Sequence, residues 1–159
     1  MRAPRHFLRV SGLGVCKGRD SRNGILLAKG TVPMRHTPTV LIVDDDASSV
    51  KLLTVVLHAA GCDVRVAATA EEALETLRSF RPTVALIDLI LPLMSGLTLA
   101  QRLKADPVTA GIALIAVTSF NGPEAERTAI DAGYSKYVRK PIDPTSIAEL
   151  ILGTEGSAP

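Results

Sequence analysis

Residues 39–46 read TVLIVDDD, a short apolar run that is rich in β-branched side chains and ends abruptly in three aspartates. Such a run is typical of a parallel strand that is buried on both faces of a sheet. Acidic side chains directly after the strand lie where open α/β sheets bind their ligands, outside the carboxyl ends of the strands. The stretch therefore predicts the first strand of an α/β sheet with a polar site at its end.

The same alternation of strand and helix continues on the C-terminal side of this stretch. Residues 47–60 place apolar side chains at helical spacing, and Gly61 ends that helix. Thr69 and Glu72 form a capping box at the start of the next helix. Further strands are expected at CDVRVA (62–67), VALI (84–87), IALIAV (112–117) and 134–139, and further helices after the 92–96 loop, over 123–132 and over 144–152.

Five strand-and-helix units within residues 39–152 favour the α/β class. At this size we expect a flavodoxin-like (βα)5 fold, a doubly wound parallel sheet with strand order 2-1-3-4-5. No GxGxxG motif follows the first strand, which argues against a dinucleotide-binding fold.

Charge is distributed unevenly along the 159 residues, although the formal net charge is only +2. Residues 1–37 hold eight Lys and Arg against one acid, whereas residues 38–159 hold ten basic and fifteen acidic side chains. Such asymmetry indicates a basic, disordered extension over residues 1–37, a folded domain over 38–153 and a short tail over 154–159. An alternative is that translation starts at Met34, just before the first strand.

Composition excludes several classes of protein. Aromatic residues make up 3% of the chain and Trp is absent, which argues against a stacking platform for single-stranded nucleic acid. Two cysteines, Cys16 and Cys62, are too few for a disulfide framework or a zinc site, so a reducing cytoplasm is the default location. No apolar run approaches the roughly 18 residues that span a bilayer.

Polar side chains follow four of the five strands at the point where each strand ends. They are Asp44 and Asp45 after the first, Asp88 after the third, Thr118 after the fourth and Lys140 after the fifth. Because the first and third strands are neighbours in a 2-1-3-4-5 sheet, we expect the three carboxylates to converge, with the hydroxyl and the amine beside them. Converging carboxylates favour a hard cation such as Mg²⁺, and an aspartate of this kind is able to carry a phosphoryl group.

Four segments carry a resemblance to a known family. They are VLIVDDD (40–46), ALIDLILPLMSG (85–96), IAVTS (115–119) and YVRKP (137–141). In this order and spacing they resemble the receiver domain of bacterial response regulators, the CheY-like family. The resemblance covers residues 39–152 and leaves out the basic extension.

The resemblance implies a role for each polar residue of the site. Asp88 is the phosphoacceptor, Thr118 hydrogen-bonds the phosphoryl group and Lys140 pairs with it. Tyr137 occupies the position of the switch aromatic, which turns inward when Thr118 moves. The peptide bond between Lys140 and Pro141 is expected to be cis, as it is in the family.

The resemblance also implies the metal ligands and the control of water access. Mg²⁺ (or Mn²⁺) is bound directly by Asp45, by Asp88 and by the carbonyl of Ile90, and through water by Asp44. Ile90 and Phe120 stand at the two positions that influence how water reaches the phosphoryl group. Both are bulky and apolar here, so we expect a comparatively long-lived phosphorylated state.

The implied function is a phosphorylation-switched signalling module of a two-component phosphorelay, not an enzyme acting on a free substrate. The phosphoryl group comes from a histidine kinase or a histidine phosphotransfer protein, and a downstream protein target responds through the face around the fourth helix, fifth strand and fifth helix. Only seven residues follow Leu152, so we expect a stand-alone receiver with neither direct nucleic-acid binding nor membrane binding.

Two other functions fit part of the pattern. Asp44 and Asp46 imitate the Asp-x-Asp nucleophile motif of a haloacid-dehalogenase-type phosphatase, although no acid pair follows a later strand. The aspartates after the first strand would also suit a simple helix cap. The second of these functions is that of a receiver-like interaction domain that works without phosphorylation. Labelling separates the three hypotheses, since signalling predicts label on Asp88, the phosphatase label on Asp44, and the interaction domain no label.

Overall fold

Residues 37–154 are the part of the chain that the computed structural model describes, and here strand and helix alternate five times. The strands are β1 (Thr39–Val43), β2 (Asp63–Ala67), β3 (Val84–Ile87), β4 (Ala113–Thr118) and β5 (Lys136–Arg139). The helices are α1 (Ala47–Ala59), α2 (Ala70–Thr76), α3 (Gly96–Ala105), α4 (Pro123–Asp131) and α5 (Pro144–Thr154). Apart from Thr37, the expected basic extension and the alternative start at Met34 lie outside the described residues, as does the tail beyond Thr154.

All five strands are parallel and pair in the order β2-β1-β3-β4-β5. This confirms the flavodoxin-like order expected from the sequence. Val43, the last residue of β1, pairs with Ile87, the last residue of β3. The residues that follow these two strands therefore begin side by side at one edge of the sheet.

The core consists of two apolar clusters, one on each face of the sheet. Successive side chains of a strand point to opposite faces, so Leu41 and Val43 of β1 enter the first cluster and Val40 and Ile42 the second. Buried side chains of α2, α3 and α4 complete the first cluster, and those of α1 and α5 complete the second. The three central strands are covered on both sides, which explains why they are apolar except for Thr39 and Thr118 at strand ends.

Helix starts follow the expected capping chemistry. Thr69 accepts a hydrogen bond from the Glu72 amide at 3.1 Å, and the Glu72 carboxylate accepts one from the Ala68 amide at 2.8 Å. Ser95 caps α3 by accepting from the Thr98 amide at 3.2 Å. These caps fix where α2 and α3 begin relative to the sheet edge.

The last strand differs from the sequence expectation. It begins at Lys136 instead of residue 134, because Gly133 turns the chain at a φ of 105° and the Tyr134 side chain is buried in the first cluster. A positive φ of this size favours glycine, which has no Cβ to clash with the backbone. Among the helices of residues 37–154, none has the length and apolar character that crossing a membrane requires.

Candidate functional site

Asp44 and Asp88 lie next to each other at the carboxyl edge of the sheet. The Asp88 amide donates to the Val43 carbonyl at 2.9 Å, and the Asp44 amide donates to the Ala67 carbonyl at 3.1 Å, so parallel pairing extends as far as these two residues. Both side chains are buried, with Asp44 3% and Asp88 7% exposed. Burying carboxylates is costly unless a cation or hydrogen bonds compensate for the lost hydration.

Lys140 supplies the compensating charge. Its Nζ lies 2.7 Å from Asp44 Oδ2 and 2.8 Å from Asp88 Oδ2. The Lys140 amide donates to the Thr118 carbonyl at 3.0 Å, which ties the end of β5 to the end of β4, and the peptide bond to Pro141 is cis, as expected. Side chains from three separate strand ends thus meet in one ion-paired cluster.

Burial and ion pairing have opposite effects on the pKa values of the charged groups in this cluster. Burial raises the pKa of Asp44, and the hydrogen bonds from Lys140 and from the Asp46 amide offset that only in part. Burial alone would lower the pKa of Lys140, but its hydrogen bonds to Asp44 and Asp88 and the charges of these two carboxylates raise it overall. Lys140 therefore keeps its positive charge at neutral pH and holds the two carboxylates together.

Asp45 does not join the pair of buried carboxylates. Its side chain is exposed, and within residues 37–154 no three acidic, histidine or cysteine side chains lie close enough to bind one metal ion. The sequence predicted three converging carboxylates, and the structure brings together two of them around Lys140.

Asp46 is occupied as the N-cap of α1. Its carboxylate accepts from the Ser49 amide at 3.0 Å, from the Ser49 hydroxyl at 2.7 Å and from the Ser48 amide at 3.4 Å. The bonds from the Ser49 hydroxyl and amide lower the pKa of this carboxyl. The helix-cap interpretation is therefore correct for Asp46, whereas Asp44 belongs to the ion-paired cluster.

Thr118 and Tyr137 are linked through the backbone of Phe120. Thr118 is completely buried at the end of β4, and its Oγ1 accepts a hydrogen bond from the Phe120 amide at 3.2 Å. The hydroxyl of the half-buried Tyr137 donates to the Phe120 carbonyl. A displacement of Thr118 would therefore move the Phe120 backbone and, through it, the Tyr137 hydroxyl.

Two large apolar side chains that follow Asp88 and Thr118 by two residues in sequence are exposed. Ile90 is 59% exposed, and its amide donates to Asp88 Oδ1 at 2.9 Å. Phe120 is 52% exposed beside Thr118. The control of water access that the sequence predicted for these two side chains stays a prediction.

Tyr134 is a residue near the site that the sequence analysis did not identify. Its hydroxyl donates to the Gly96 carbonyl at 2.8 Å, and a Cβ on Gly96 would lie 2.1 Å from the Asp88 carbonyl oxygen. The one sequence signal was Gly96 itself, since a glycine at the start of a helix often marks a close backbone approach.

Residues 40–152 match the family model of the response regulator receiver domain. The DNA-binding response regulator MtrA of Mycolicibacterium paratuberculosis is 33% identical over 108 residues, which are 68% of this chain and 47% of that protein. The matched stretch thus spans about half the length of these curated relatives.

Solved structures agree with the fold. The CheY-like receiver domain protein of Methanospirillum hungatei JF-1 superimposes with a TM-score of 0.68 at 29% identity and covers 77% of this chain and 100% of its own. The chemotaxis response regulator CheY4 of Vibrio cholerae gives a TM-score of 0.70 at 24% identity, over 75% of this chain and 99% of that one.

Proposed function

Because this chain belongs to the family of response regulator receiver domains, we propose that it accepts a phosphoryl group on Asp88 and signals through the protein contacts that then change. The observation that carries the proposal is the ammonium group of Lys140, which lies 2.8 Å from the Asp88 carboxylate. A cation already in place at the acceptor oxygen is what phosphoryl transfer requires, since the protein contributes mainly positioning and charge stabilisation. The donor is a phosphohistidine on a histidine kinase or histidine phosphotransfer protein.

The proposed chemistry uses three side chains. A carboxylate oxygen of Asp88 attacks the phosphorus, the phosphorus–nitrogen bond breaks, and the leaving histidine nitrogen keeps the electron pair and takes up a proton. Lys140 turns from the carboxylates to a phosphoryl oxygen, as a mobile point charge is able to do. The Thr118 hydroxyl donates to another phosphoryl oxygen. These three side chains transfer the phosphoryl group to the protein itself and turn over no free substrate, which distinguishes this phosphoacceptor from an enzyme.

Mg²⁺ (or Mn²⁺) completes the site in this proposal. We assign direct binding to Asp45, Asp88 and the Ile90 carbonyl, and binding through water to Asp44. The exposed Asp45 side chain lies apart from the other two carboxylates and would have to turn toward them to bind the ion. The donor set fits, since all four groups are hard oxygens and two of them are buried carboxylates that share a single ammonium group. When bound, the ion would offset negative charge on the carboxylates and on the phosphoryl oxygens.

The switch follows from the hydrogen bonds of Thr118. When its hydroxyl turns to the phosphoryl group, the bond that it now accepts from the Phe120 amide is lost. The Phe120 carbonyl, which accepts from the Tyr137 hydroxyl, shifts with its own backbone. Tyr137 then changes position and so changes the surface that a downstream protein contacts.

The proposed partners of this chain are proteins. They are the phosphohistidine donor and a downstream target, without direct binding to nucleic acid or membrane. A cytoplasmic location belongs to the same proposal, because the phosphoryl group of such donors derives from ATP.

Phosphorylation by a small donor tests the proposal. The full chain is incubated with acetyl phosphate and Mg²⁺, and its intact mass is measured. We expect a gain of one phosphoryl group that disappears in Asp88→Asn and persists in Asp63→Asn, which removes an exposed aspartate at the start of β2. Beryllofluoride, which resembles a bound phosphoryl group, should bind at Asp88 in the native chain.

Other outcomes support the competing functions. No mass gain in the native chain would favour an interaction domain that works without phosphorylation. Label on Asp44 would favour the phosphatase hypothesis, which the structure disfavours because the Asp46 carboxylate is bound to Ser48 and Ser49 at the start of α1.

A further inference from the structure

Tyr134 joins two segments that lie far apart along the chain. Its side chain is 2% exposed in the first apolar cluster, and its hydroxyl donates to the carbonyl of Gly96, 38 residues earlier, at 2.8 Å. Burial raises the pKa of this hydroxyl, and the negative charge of Asp88 raises it further. The hydroxyl therefore remains a hydrogen-bond donor throughout the physiological pH range.

Gly96 forms the base of the loop that carries the proposed site, residues 89–95, which we call the acceptor loop. A Cβ on Gly96 would lie 2.1 Å from the Asp88 carbonyl oxygen and 2.9 Å from Leu89 Cα. The Gly96 amide also donates to the Leu89 carbonyl at 3.1 Å. The backbone of Gly96 thus packs directly on that of Asp88, and in so close a contact a shift of one displaces the other.

The tip of the acceptor loop is exposed, whereas Leu91 and Met94 on either side of it pack against the first cluster. Ile90 is 59% and Leu93 91% exposed, and Leu93 has a φ of 66°, in the left-handed region that a leucine rarely adopts. Apart from the packing of Leu91 and Met94, the loop takes its position from its base. That base is the contact among Asp88, Leu89 and Gly96.

The turn that carries Tyr134 is itself fixed to the far end of α3. A Cβ on Gly133 would lie 2.7 Å from Lys104 Cγ, so the Lys104 stem passes directly over this turn. The Lys104 ammonium donates to the carbonyls of Ala110 at 2.9 Å and Ile112 at 2.7 Å. The turn therefore contacts both the N-terminal and the C-terminal end of α3. These two contacts fix the position of the Tyr134 hydroxyl.

We infer that Tyr134 is a positioning residue for the phosphoacceptor site. Its hydroxyl holds Gly96, and Gly96 sets the position of the Asp88 backbone and of the Ile90 carbonyl that would hold the divalent cation. This inference rests on the proposed function and adds a residue to it from outside the strand ends.

The test compares two single hydrogen-bond deletions in the full chain. Tyr134→Phe keeps the ring and removes the bond to the Gly96 carbonyl. Thr109→Val removes the bond that the buried Thr109 hydroxyl donates at 2.7 Å to the Leu103 carbonyl, near the end of α3 that lies away from Asp88, together with its longer contact with the Asp106 carbonyl at 3.5 Å. Thermal unfolding should show that both variants lose stability to a similar degree, since each loses one buried hydrogen bond.

Mg²⁺ affinity should separate the two variants. We expect Tyr134→Phe to raise the Kd for Mg²⁺ by about three- to tenfold, the range that one lost hydrogen bond supports, and to slow phosphorylation by acetyl phosphate. Thr109→Val should leave both at the wild-type value. Equal behaviour of the two variants toward Mg²⁺ would overturn the inference, because Tyr134 would then have only a structural role.

Hydrogen exchange distinguishes failure of the inference from failure of the proposed function. The amides of Ile90 and Gly96 should exchange faster in Tyr134→Phe and at the wild-type rate in Thr109→Val. A wild-type chain that neither binds Mg²⁺ nor takes up a phosphoryl group would refute the proposed function, and exchange at these amides would still decide whether Tyr134 positions the loop. Unchanged exchange in Tyr134→Phe would refute that positioning role.

Discussion

At the scale of single residues, the site depends most on Lys140. Its ammonium group is the cation for two carboxylates that are 3% and 7% exposed. We expect Lys140→Met to lower the free energy of unfolding at pH 7 by about 2 kcal/mol, less than for a fully buried pair because Lys140 is partly exposed. Urea unfolding without metal measures the loss, and added Mg²⁺ should restore part of it. Lys51→Met, which removes an exposed lysine of α1, is the control and should have no effect.

The effect of Lys140→Met should depend on pH with a definite sign. Burial raises the pKa of Asp44 even with Lys140 present, and without the ammonium group the rise becomes larger. As the pH falls from neutral into the acid range, the carboxyl is protonated and no longer needs a cation. The difference in stability between wild type and variant should therefore shrink, and a constant difference would contradict the assigned role.

The predicted role of Ile90 in water access is also argued at the scale of single residues. Ile90 is 59% and Phe120 52% exposed, and in the proposed function these bulky apolar groups exclude an attacking water from the phosphoryl group. We expect slow loss of the phosphoryl group from the wild type in Mg²⁺ buffer and severalfold faster loss from Ile90→Asn. Leu93→Asn changes a more exposed side chain of the same loop, 91% exposed, and should leave the rate unchanged. Fast loss in the wild type that Ile90→Asn leaves unaltered would refute this explanation.

At the scale of elements, α5 depends on the aspartate that precedes it. The Asp143 carboxylate accepts hydrogen bonds from the Ser146 hydroxyl and, at 2.9 Å, from the Ser146 amide, and these bonds lower its pKa. The helix that follows packs Ile147 and Ile151 into the second apolar cluster. An ionised carboxylate at a helix N-terminus also interacts favourably with the helix dipole.

Asp143→Asn should therefore unfold at a lower urea concentration than the wild type at neutral pH. A carboxyl whose pKa is lowered by folding stabilises the fold above its unfolded pKa, and this contribution is lost as the pH falls through the lowered folded value. The two unfolding midpoints should converge in the acid range. Asp63→Asn removes an exposed aspartate and should have the wild-type midpoint at neutral pH. A midpoint difference for Asp143→Asn that grows with acidity would contradict the assignment.

The sequence predicted the elements and the cluster of Asp44, Asp88 and Lys140 for one physical reason. Parallel strands end at a common edge, so the side chains directly after them meet regardless of the conformation of the loops. The direction of Asp45 and the bond from Tyr134 to Gly96 escaped prediction, because each depends on the path of the backbone beyond a strand end. Local patterns of hydrophobicity do not encode such paths.

At the scale of the whole molecule, the described core and site are formed by residues that follow the basic N-terminal segment. The side chains of the two core clusters come from residues 40–151, and the contacts of the site come from residues 43–140. Residues 1–33 hold seven basic side chains and one acid, so residues 34–159 keep eleven basic and fifteen acidic ones and a net charge of −4. Removing the first 33 residues should thus change the charge of the molecule without removing any of these contacts.

We therefore expect a chain that begins at Met34 to unfold at the same temperature as the full chain. It should also accept a phosphoryl group from acetyl phosphate at the same rate, because the contacts of the core and of the proposed acceptor site within residues 37–154 are all kept. Thermal unfolding measures the stability of the two chains, and intact-mass kinetics measure their rates of phosphorylation. A drop of several degrees would mean that the basic residues stabilise the domain. Slower phosphorylation at equal stability would mean that their positive charge assists the negatively charged donor, which should weaken as salt is added.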